Sequence, residues 1–144
     1  MKKTMLDYVA ETPVALERTL GRSQVLTAPV ADLLRTGNFR ILRIVASGSS
    51  RNAACAARPL LRRLLGMEVL VTPPHTFACY EHELPPDELT LVVSQSGYST
   101  NALEALEVIR RQGGTAIGVT SDPASDMAQV SDLLVDYGCG QEQV

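Results

Sequence analysis

Five short apolar runs, separated by turn residues and helical patterns, constrain this chain more than anything else in it. They begin just after Phe39. Ile41 to Ala46, Met67 to Thr72, Leu89 to Val93, Thr115 to Thr120 and Asp132 to Asp136 are too short for buried helices and rich in Val, Ile, Leu and Thr. The stretches between them carry helical periodicity. Strands that alternate with helices are joined by right-handed crossovers, and those build a parallel sheet. The expected fold class is therefore α/β: a three-layer α/β/α sandwich on a five-stranded parallel sheet, with an N-terminal helical lead-in. At 144 residues the chain is long enough for one domain with a real core. Trp is absent and aromatics make up 4%, so Ala, Leu and Val must fill that core.

In chain order, Thr4 to Leu20 reads as a helix, with Met5, Val9, Leu16 and Leu20 spaced for one face and Pro13 expected to kink or split it. Val25 to Leu34 is a second helix, ending near Gly37-Asn38. Residues 1–37 thus form a lead-in, and residues 38–144 the domain. After the first strand, Ser47-Gly48-Ser49-Ser50 reads as a turn and Arg51 to Leu65 as an alanine-rich helix, with Pro59 predicting a bend or an early end. Gly66 stops it. His75 to Glu83 is a short helix, and Pro85-Pro86-Asp87 a turn. After the third strand, Ser94-Gln95-Ser96-Gly97-Tyr98-Ser99-Thr100 breaks the pattern. A helix follows from about Asn101, with Leu103, Leu106 and Ile109 inward and Asn101/Glu104 resembling a capping box. Ser121 to Val130 holds a short helix.

The central break is chemically distinctive. A strand that ends in a hydroxyl-rich segment and opens a helix makes an oxyanion site, because the leading N–H groups of a helix are unpaired and its dipole favours negative charge. Gly97 allows close backbone approach or a positive φ. Ser94, Ser96, Ser99 and Thr100 add hydroxyls and Gln95 a carboxamide, a donor set suited to a phosphate monoester. If the strand order is 2-1-3-4-5, the order reverses between the first and third strands. Gly48-Ser49-Ser50 and Ser94-Gln95-Ser96-Gly97 then open onto one crevice at the carboxyl ends of the strands, where ligands bind in such sheets. Against this stands the plain reading that Ser and Gly are simply good turn and N-cap residues. Either turn alone fits that reading; the two together favour anion binding.

Other chemistries fit less well. Gly48-Ser49-Ser50-Arg51-Asn52-Ala53 is not G-x-G-x-x-G, and Thr72-Pro73 stands where a dinucleotide fold places an acid. No P-loop motif is present, and both histidines precede Ser96, contrary to a serine hydrolase. His75, Cys79 and His82 fall at i, i+4, i+7, a possible metal-ligating face with Glu81 or Glu83 nearby, though four-ligand closure is not evident. The same segment offers Glu81, His82 and Glu83 as acid–base candidates, or simply a solvated face.

Composition excludes several partners. The net charge of −3 argues against nucleic acid or an anionic membrane, and Arg62-Arg63 do not make a basic patch. Cys55, Cys79 and Cys139 are an odd number without a C-x-x-C pair, which fits a reduced, cytoplasmic setting. The N-terminal stretch lacks the apolar core of a signal peptide, and no run is long enough to span a membrane.

Ser94-Gln95-Ser96-Gly97 followed by Ser99, with the weaker Gly48-Ser49-Ser50, resembles the SIS (sugar isomerase) domain family. The likeness is strongest to the first SIS copy in the isomerase half of glucosamine-6-phosphate synthase and in fructosamine-6-phosphate deglycases, and it runs from about Phe39 to the C-terminus. The resemblance implies the 2-1-3-4-5 order, a sugar phosphate as ligand, no cofactor, and dimerisation or pairing with a second SIS domain. It carries Ser49, Ser50, Ser94, Gln95, Ser96 and Ser99 over as phosphate-binding residues, with Gly48, Gly97 and Thr100 beside them. Two positions depart from the synthases: Tyr98 stands where they usually have Glu, and Thr76, in His75-Thr76-Phe77, where they have the Glu of Ser-Glu-Phe. In two-copy members the catalytic base, the ring-opening His and a C-terminal Lys come from the second half or a partner subunit. Gly138 to Val144 looks like the passage into such a half. The implied activity is aldose–ketose isomerisation or deglycation of a phosphosugar. The alternatives are a non-catalytic phosphosugar sensor and a half-domain that serves only to pair with another copy.

Overall fold

The computed structural model describes residues 4–139; the last residues of the tail lie outside the described range. The chain opens with α1 (Met5–Gly21) and α2 (Ser23–Thr36). It then alternates through β1 (Ile41–Ala46), α3 (Gly48–Leu65), β2 (Glu68–Thr72), α4 (Pro74–Tyr80), β3 (Glu88–Val93), α5 (Thr100–Arg111), β4 (Ile117–Thr120), α6 (Asp126–Val130) and β5 (Leu133–Asp136). All strand pairs are parallel and the order is β2-β1-β3-β4-β5. The fold class and the order are those expected.

Strand alternation sorts the core into two layers. Val45 and Val92 face Phe77 of α4, Ala102, Ala105, Leu106 and Ile109 of α5, and Met127 of α6. Leu42, Ile44, Ala46, Val69, Leu89 and Ile117 face Ala54 and Leu61 of α3 and Val30, Leu33 and Leu34 of α2. Helices therefore cover both faces, as a parallel sheet requires. Each fully buried leucine or isoleucine here contributes roughly 1.5–3 kcal/mol relative to exposure.

Several boundaries differ from the sequence reading. Gly48, Ser49 and Ser50 are not a turn: they are the first turn of α3, with Ser47 as its N-cap. Gly48 sits at φ +54°, a left-handed value that lets β1 run into a helix with a single intervening residue. Pro59 neither ends nor shortens α3, and Pro13 and Pro29 likewise lie within unbroken α1 and α2. Pro13 and Pro59 are on exposed positions, where a carbonyl deprived of its helical partner can be hydrated. α4 stops at Tyr80, so His82 lies outside the helix and does not share a face with His75 and Cys79. α5 begins one residue earlier than expected and Ser99 is its N-cap, so the Asn101/Glu104 capping box is absent.

The lead-in departs most from expectation. α1 is well capped, with Thr4 and Asp7 forming a capping box. Yet no residue of α1 is buried, and Met5, Val9, Leu16 and Leu20 are 56–69% exposed. α1 leans on α2 and on the segment that follows β5, where Thr19 Oγ1 donates to the Tyr137 carbonyl at 3.0 Å.

One charged cluster is built into the α4 side of the sheet. Arg43 on β1 donates to both Glu88 oxygens (Nε–Oε1 2.7 Å, Nη2–Oε2 3.1 Å), to Thr72 Oγ1 at 3.0 Å and to Glu81 Oε2 at 3.1 Å. The guanidinium also lies over the Phe77 ring, 5.8 Å from its centroid. Burial opposes its charge, but the bonds and charges of Glu88 and Glu81 prevail and hold Arg43 above its ordinary pKa. The cluster ties β1, β2, β3 and the segment after α4 into one unit. Because Glu88 is fully buried, removing it strands a buried cation. Glu88→Ala should therefore lower stability by about 3–5 kcal/mol in urea unfolding. A loss under about 1 kcal/mol would mean that the cluster is not what joins these elements.

Candidate functional site

β1 and β3 are neighbours, and their last residues, Ala46 and Val93, are register partners. The segments that follow, Ser47–Ser50 and Ser94–Thr100, leave the sheet side by side at its carboxyl edge. Each opens a long helix, α3 of 18 residues and α5 of 12 residues. Neither N-cap serine, Ser47 nor Ser99, uses its side chain to cap its helix. The leading N–H groups of the two helices are thus not taken up by their own N-cap hydroxyls. Two helix N-termini and seven Ser/Thr hydroxyls gather at one place. Such a place favours an anion through dipoles and short donors.

The turn itself is tightly closed. Ser94 is buried, its N–H donates to the Val119 carbonyl at 3.0 Å, and its Oγ accepts the Gly97 N–H at 3.3 Å. Ser96 is exposed and its Oγ accepts the Tyr98 N–H at 3.3 Å. Each of these hydroxyls accepts from the backbone through its oxygen, which leaves its own proton available to donate. Gln95, Ser99 and Ser50 are half-buried, while Gly48, Ser49 and Thr100 are exposed.

The sequence reading missed what holds this turn. The loop from β4 to α6 is its mould. The Gln95 carbonyl accepts from Ser121 N at 3.0 Å, Ser121 Oγ at 2.9 Å and Thr120 Oγ1 at 3.0 Å. The Gly97 carbonyl accepts from Met127 N at 3.0 Å. Thr120, Ser121 and Ser125 are all buried, and Ser125 Oγ donates to the Asp122 carbonyl at 2.7 Å. Tyr98 reaches across the mouth, its hydroxyl 3.4 Å from Asp122 Oδ2. The signal was available: Thr120-Ser121-Asp122-Pro123 ends the fourth strand much as the serine segments end the first and third.

The remaining candidates lie elsewhere. Glu81 pairs with Arg43, and the His82 carbonyl accepts from Gln112 Nε2 at 2.6 Å. Both belong to the segment that leads into the amino end of β3, whereas Ser94 to Thr100 leaves its carboxyl end. His75 Nδ1 and Cys79 Sγ approach to 3.6 Å, but among the described residues no group of three or more His, Cys, Asp or Glu could hold a metal. A cavity of about 340 Å³ also opens at the amino end, between Leu84–Pro86, Ile109 and Gly113–Gly114, away from the hydroxyls. No helix among the described residues is long and apolar enough to cross a membrane.

Fold and site together define an open, parallel α/β domain with its hydroxyl-rich segments gathered where strand order reverses. The chain belongs to the SIS domain family, whose model matches residues 39–142. It is 30% identical over 147 aligned positions to the glutamine–fructose-6-phosphate aminotransferase (isomerizing) of Shewanella oneidensis, covering 96% of this chain and 24% of that protein. The chain thus spans about a quarter of that relative's length. Its fold is similar to the C-terminal domain of glucosamine-fructose-6-phosphate aminotransferase from Francisella tularensis (TM-score 0.83, 21% identity, 99% of this chain and 41% of the other). It is also similar to tagatose-6-phosphate ketose/aldose isomerase from Escherichia coli (TM-score 0.73, 21% identity, 91% and 39%).

Gly97 tests whether the mould is as tight as it looks. It sits at φ +72°, and a Cβ there would run into the Ser125 side chain and lie 2.9 Å from Thr120 Oγ1. Gly97→Ala combines backbone strain with overpacking and should cost about 2–5 kcal/mol in thermal or urea unfolding. A neutral substitution would show that the β4–α6 loop yields easily.

Proposed function

We propose that this chain is a phosphosugar-binding SIS domain, and that Gly48, Ser49, Ser50, Ser94, Gln95, Ser96, Gly97, Ser99 and Thr100 hold the phosphate. The observation that carries this reading is the pairing of Ala46 with Val93, which sets the two serine segments against each other at the reversal of strand order. A phosphate monoester brings about two negative charges and three acceptor oxygens, which match helix N-termini and clustered hydroxyls. The relatives' names point to ketose 6-phosphates: fructose 6-phosphate for the aminotransferase and tagatose 6-phosphate for the isomerase. The activity served is aldose–ketose isomerisation, transamination with isomerisation, or deglycation. Such chemistry passes through an enediol(ate) and needs a carboxylate base and a ring-opening acid. The part of this chain is to bind and orient. A second SIS copy or a partner subunit supplies the remaining groups, since Glu81 already serves Arg43. Residues 1–37 are read as a lead-in to the domain at 38–144, in a cytoplasmic protein.

The exposed face of α1 supports that pairing. Met5, Val9, Leu16 and Leu20 form an apolar face that no other described residue covers, and a second SIS fold would cover it. Sedimentation should show association that Leu16→Glu/Leu20→Glu abolishes while the monomer stays folded. A wild type that is monomeric at high concentration would remove self-pairing from the proposal.

The binding itself is tested by calorimetric titration with fructose 6-phosphate, glucose 6-phosphate and inorganic phosphate. Saturable binding is expected, weakened in Ser96→Ala by roughly 1–3 kcal/mol, the scale of a lost hydrogen bond to a charged group. Binding that Ser96→Ala leaves unchanged would place the phosphate elsewhere.

A further inference from the structure

We propose that Tyr98 is a positioning residue of the phosphate turn: its phenol holds the Asp122 carboxylate off the donors that an incoming anion needs. The inference rests on the phosphosugar reading for its ligand; the contact between the two side chains does not. Tyr98 lies between Gly97 and Ser99, the N-cap of α5, and its N–H donates to Ser96 Oγ at 3.3 Å. Its side chain is exposed and crosses the mouth of the crevice, where its hydroxyl donates to Asp122 Oδ2 at 3.4 Å.

Asp122 follows β4, which pairs with β3, so it leaves the sheet at the same carboxyl edge as the turn. Its N–H donates to Thr120 Oγ1 at 3.3 Å, and Thr120 Oγ1 donates to the Gln95 carbonyl at 3.0 Å. Two hydrogen bonds thus join the Asp122 backbone to the turn. A carboxylate accepts from the same donors as a phosphate, namely hydroxyls and the leading N–H groups of a helix. Beside this turn it is a rival for those donors, and its charge opposes a dianion.

Two bonds keep the rival aside. Asp122 Oδ1 accepts the Ala124 N–H at 2.9 Å, and Oδ2 accepts the Tyr98 hydroxyl. The first fixes the carboxylate to its own loop, and the second ties it to the side chain that crosses the mouth. Tyr98 remains a donor at ordinary pH. Partial loss of water, then the charge and hydrogen bond of Asp122, then the charge of Asp126 raise its phenol above the usual value. Without the phenol oxygen, Oδ2 turns to the hydroxyls and N–H groups of the turn itself. Tyr98 does not touch the ligand in this assignment; it acts through Asp122.

The test is calorimetric titration of the full chain with fructose 6-phosphate and inorganic phosphate. It compares the wild type with Tyr98→Phe, Asp122→Asn and the double variant. Tyr98→Phe should weaken both ligands alike, by about two- to tenfold, the effect of a unit charge brought a few ångströms nearer a dianion at a partly solvated site. That loss should shrink in about 0.5 M salt. Asp122→Asn should bind at least as tightly as the wild type, and Tyr98→Phe should cost nothing in that background. Unchanged affinity in Tyr98→Phe would overturn the proposal. So would the same loss with Asn at 122, because packing or a direct ligand contact is lost whatever stands there. Weaker binding in Asp122→Asn would make the carboxylate a ligand group and overturn it too. A second readout needs no ligand. By carbon NMR of the tyrosine rings, the Tyr98 phenol should ionise above the ordinary value in the wild type and move down toward it in Asp122→Asn. Identical ionisation in the two proteins would show that the phenol does not hold the carboxylate. Should the wild type bind neither ligand, the phosphosugar reading fails, and the ionisation readout alone decides whether Tyr98 holds Asp122.

Discussion

The pairing of β1 with β3 is the constraint on which the rest of this structure depends. The chain lays down β1 in the sheet's interior, goes out to β2 at one edge, then returns past β1 to place β3 on its other side. Right-handed crossovers send α3 over one face and α4 over the other when the direction reverses. The two connections diverge above Ala46 and Val93, and a crevice opens between them. The two serine segments meet there because two strands separated by 41 residues of chain, 47–87, share a ladder.

Around that crevice the structure spends its buried polar groups on geometry. A turn with a positive-φ glycine and several hydroxyls has many conformations of similar energy. Here its carbonyls at Gln95 and Gly97 are tied to the β4–α6 loop, and buried Ser125 and Thr120 leave no room for a side chain at Gly97. The entropy of ordering the turn is met by folding rather than by binding, which is what preorganisation means physically. The groups left for a ligand are the Ser and Thr hydroxyls and the leading N–H groups of two helices, with the Asp122 carboxylate held to one side by Tyr98.

Two other features show how the chain handles groups that do not suit a small core. Arg43 is a cation inside a sheet, tolerable because Glu88 meets it with both oxygens and Glu81 and Thr72 take further protons. That also accounts for Glu81, a carboxylate which in sequence looks like a catalytic candidate and in space is an ion-pair partner. α1 is the converse case. Its apolar face is well patterned and its N-terminus well capped, but packing, not periodicity, decides whether such a face is covered.

What the amino-acid order determined by itself was the α/β class, all five strands to within two residues, and the segment from Ser94 to Thr100 as the chemically loaded break. These are local properties: short β-branched runs, glycine stops and hydroxyl clusters act over a few residues. The sequence alone could not tell that Gly48 to Ser50 open a helix, since the positive φ of Gly48 is fixed by how β1 must meet α3. It likewise could not place Thr120 and Ser121 against Gln95, or Glu81 and Glu88 against Arg43. Tertiary structure alone decided those contacts, because a hydrogen bond between residues 26 apart depends on strand order and register, and no local propensity encodes either.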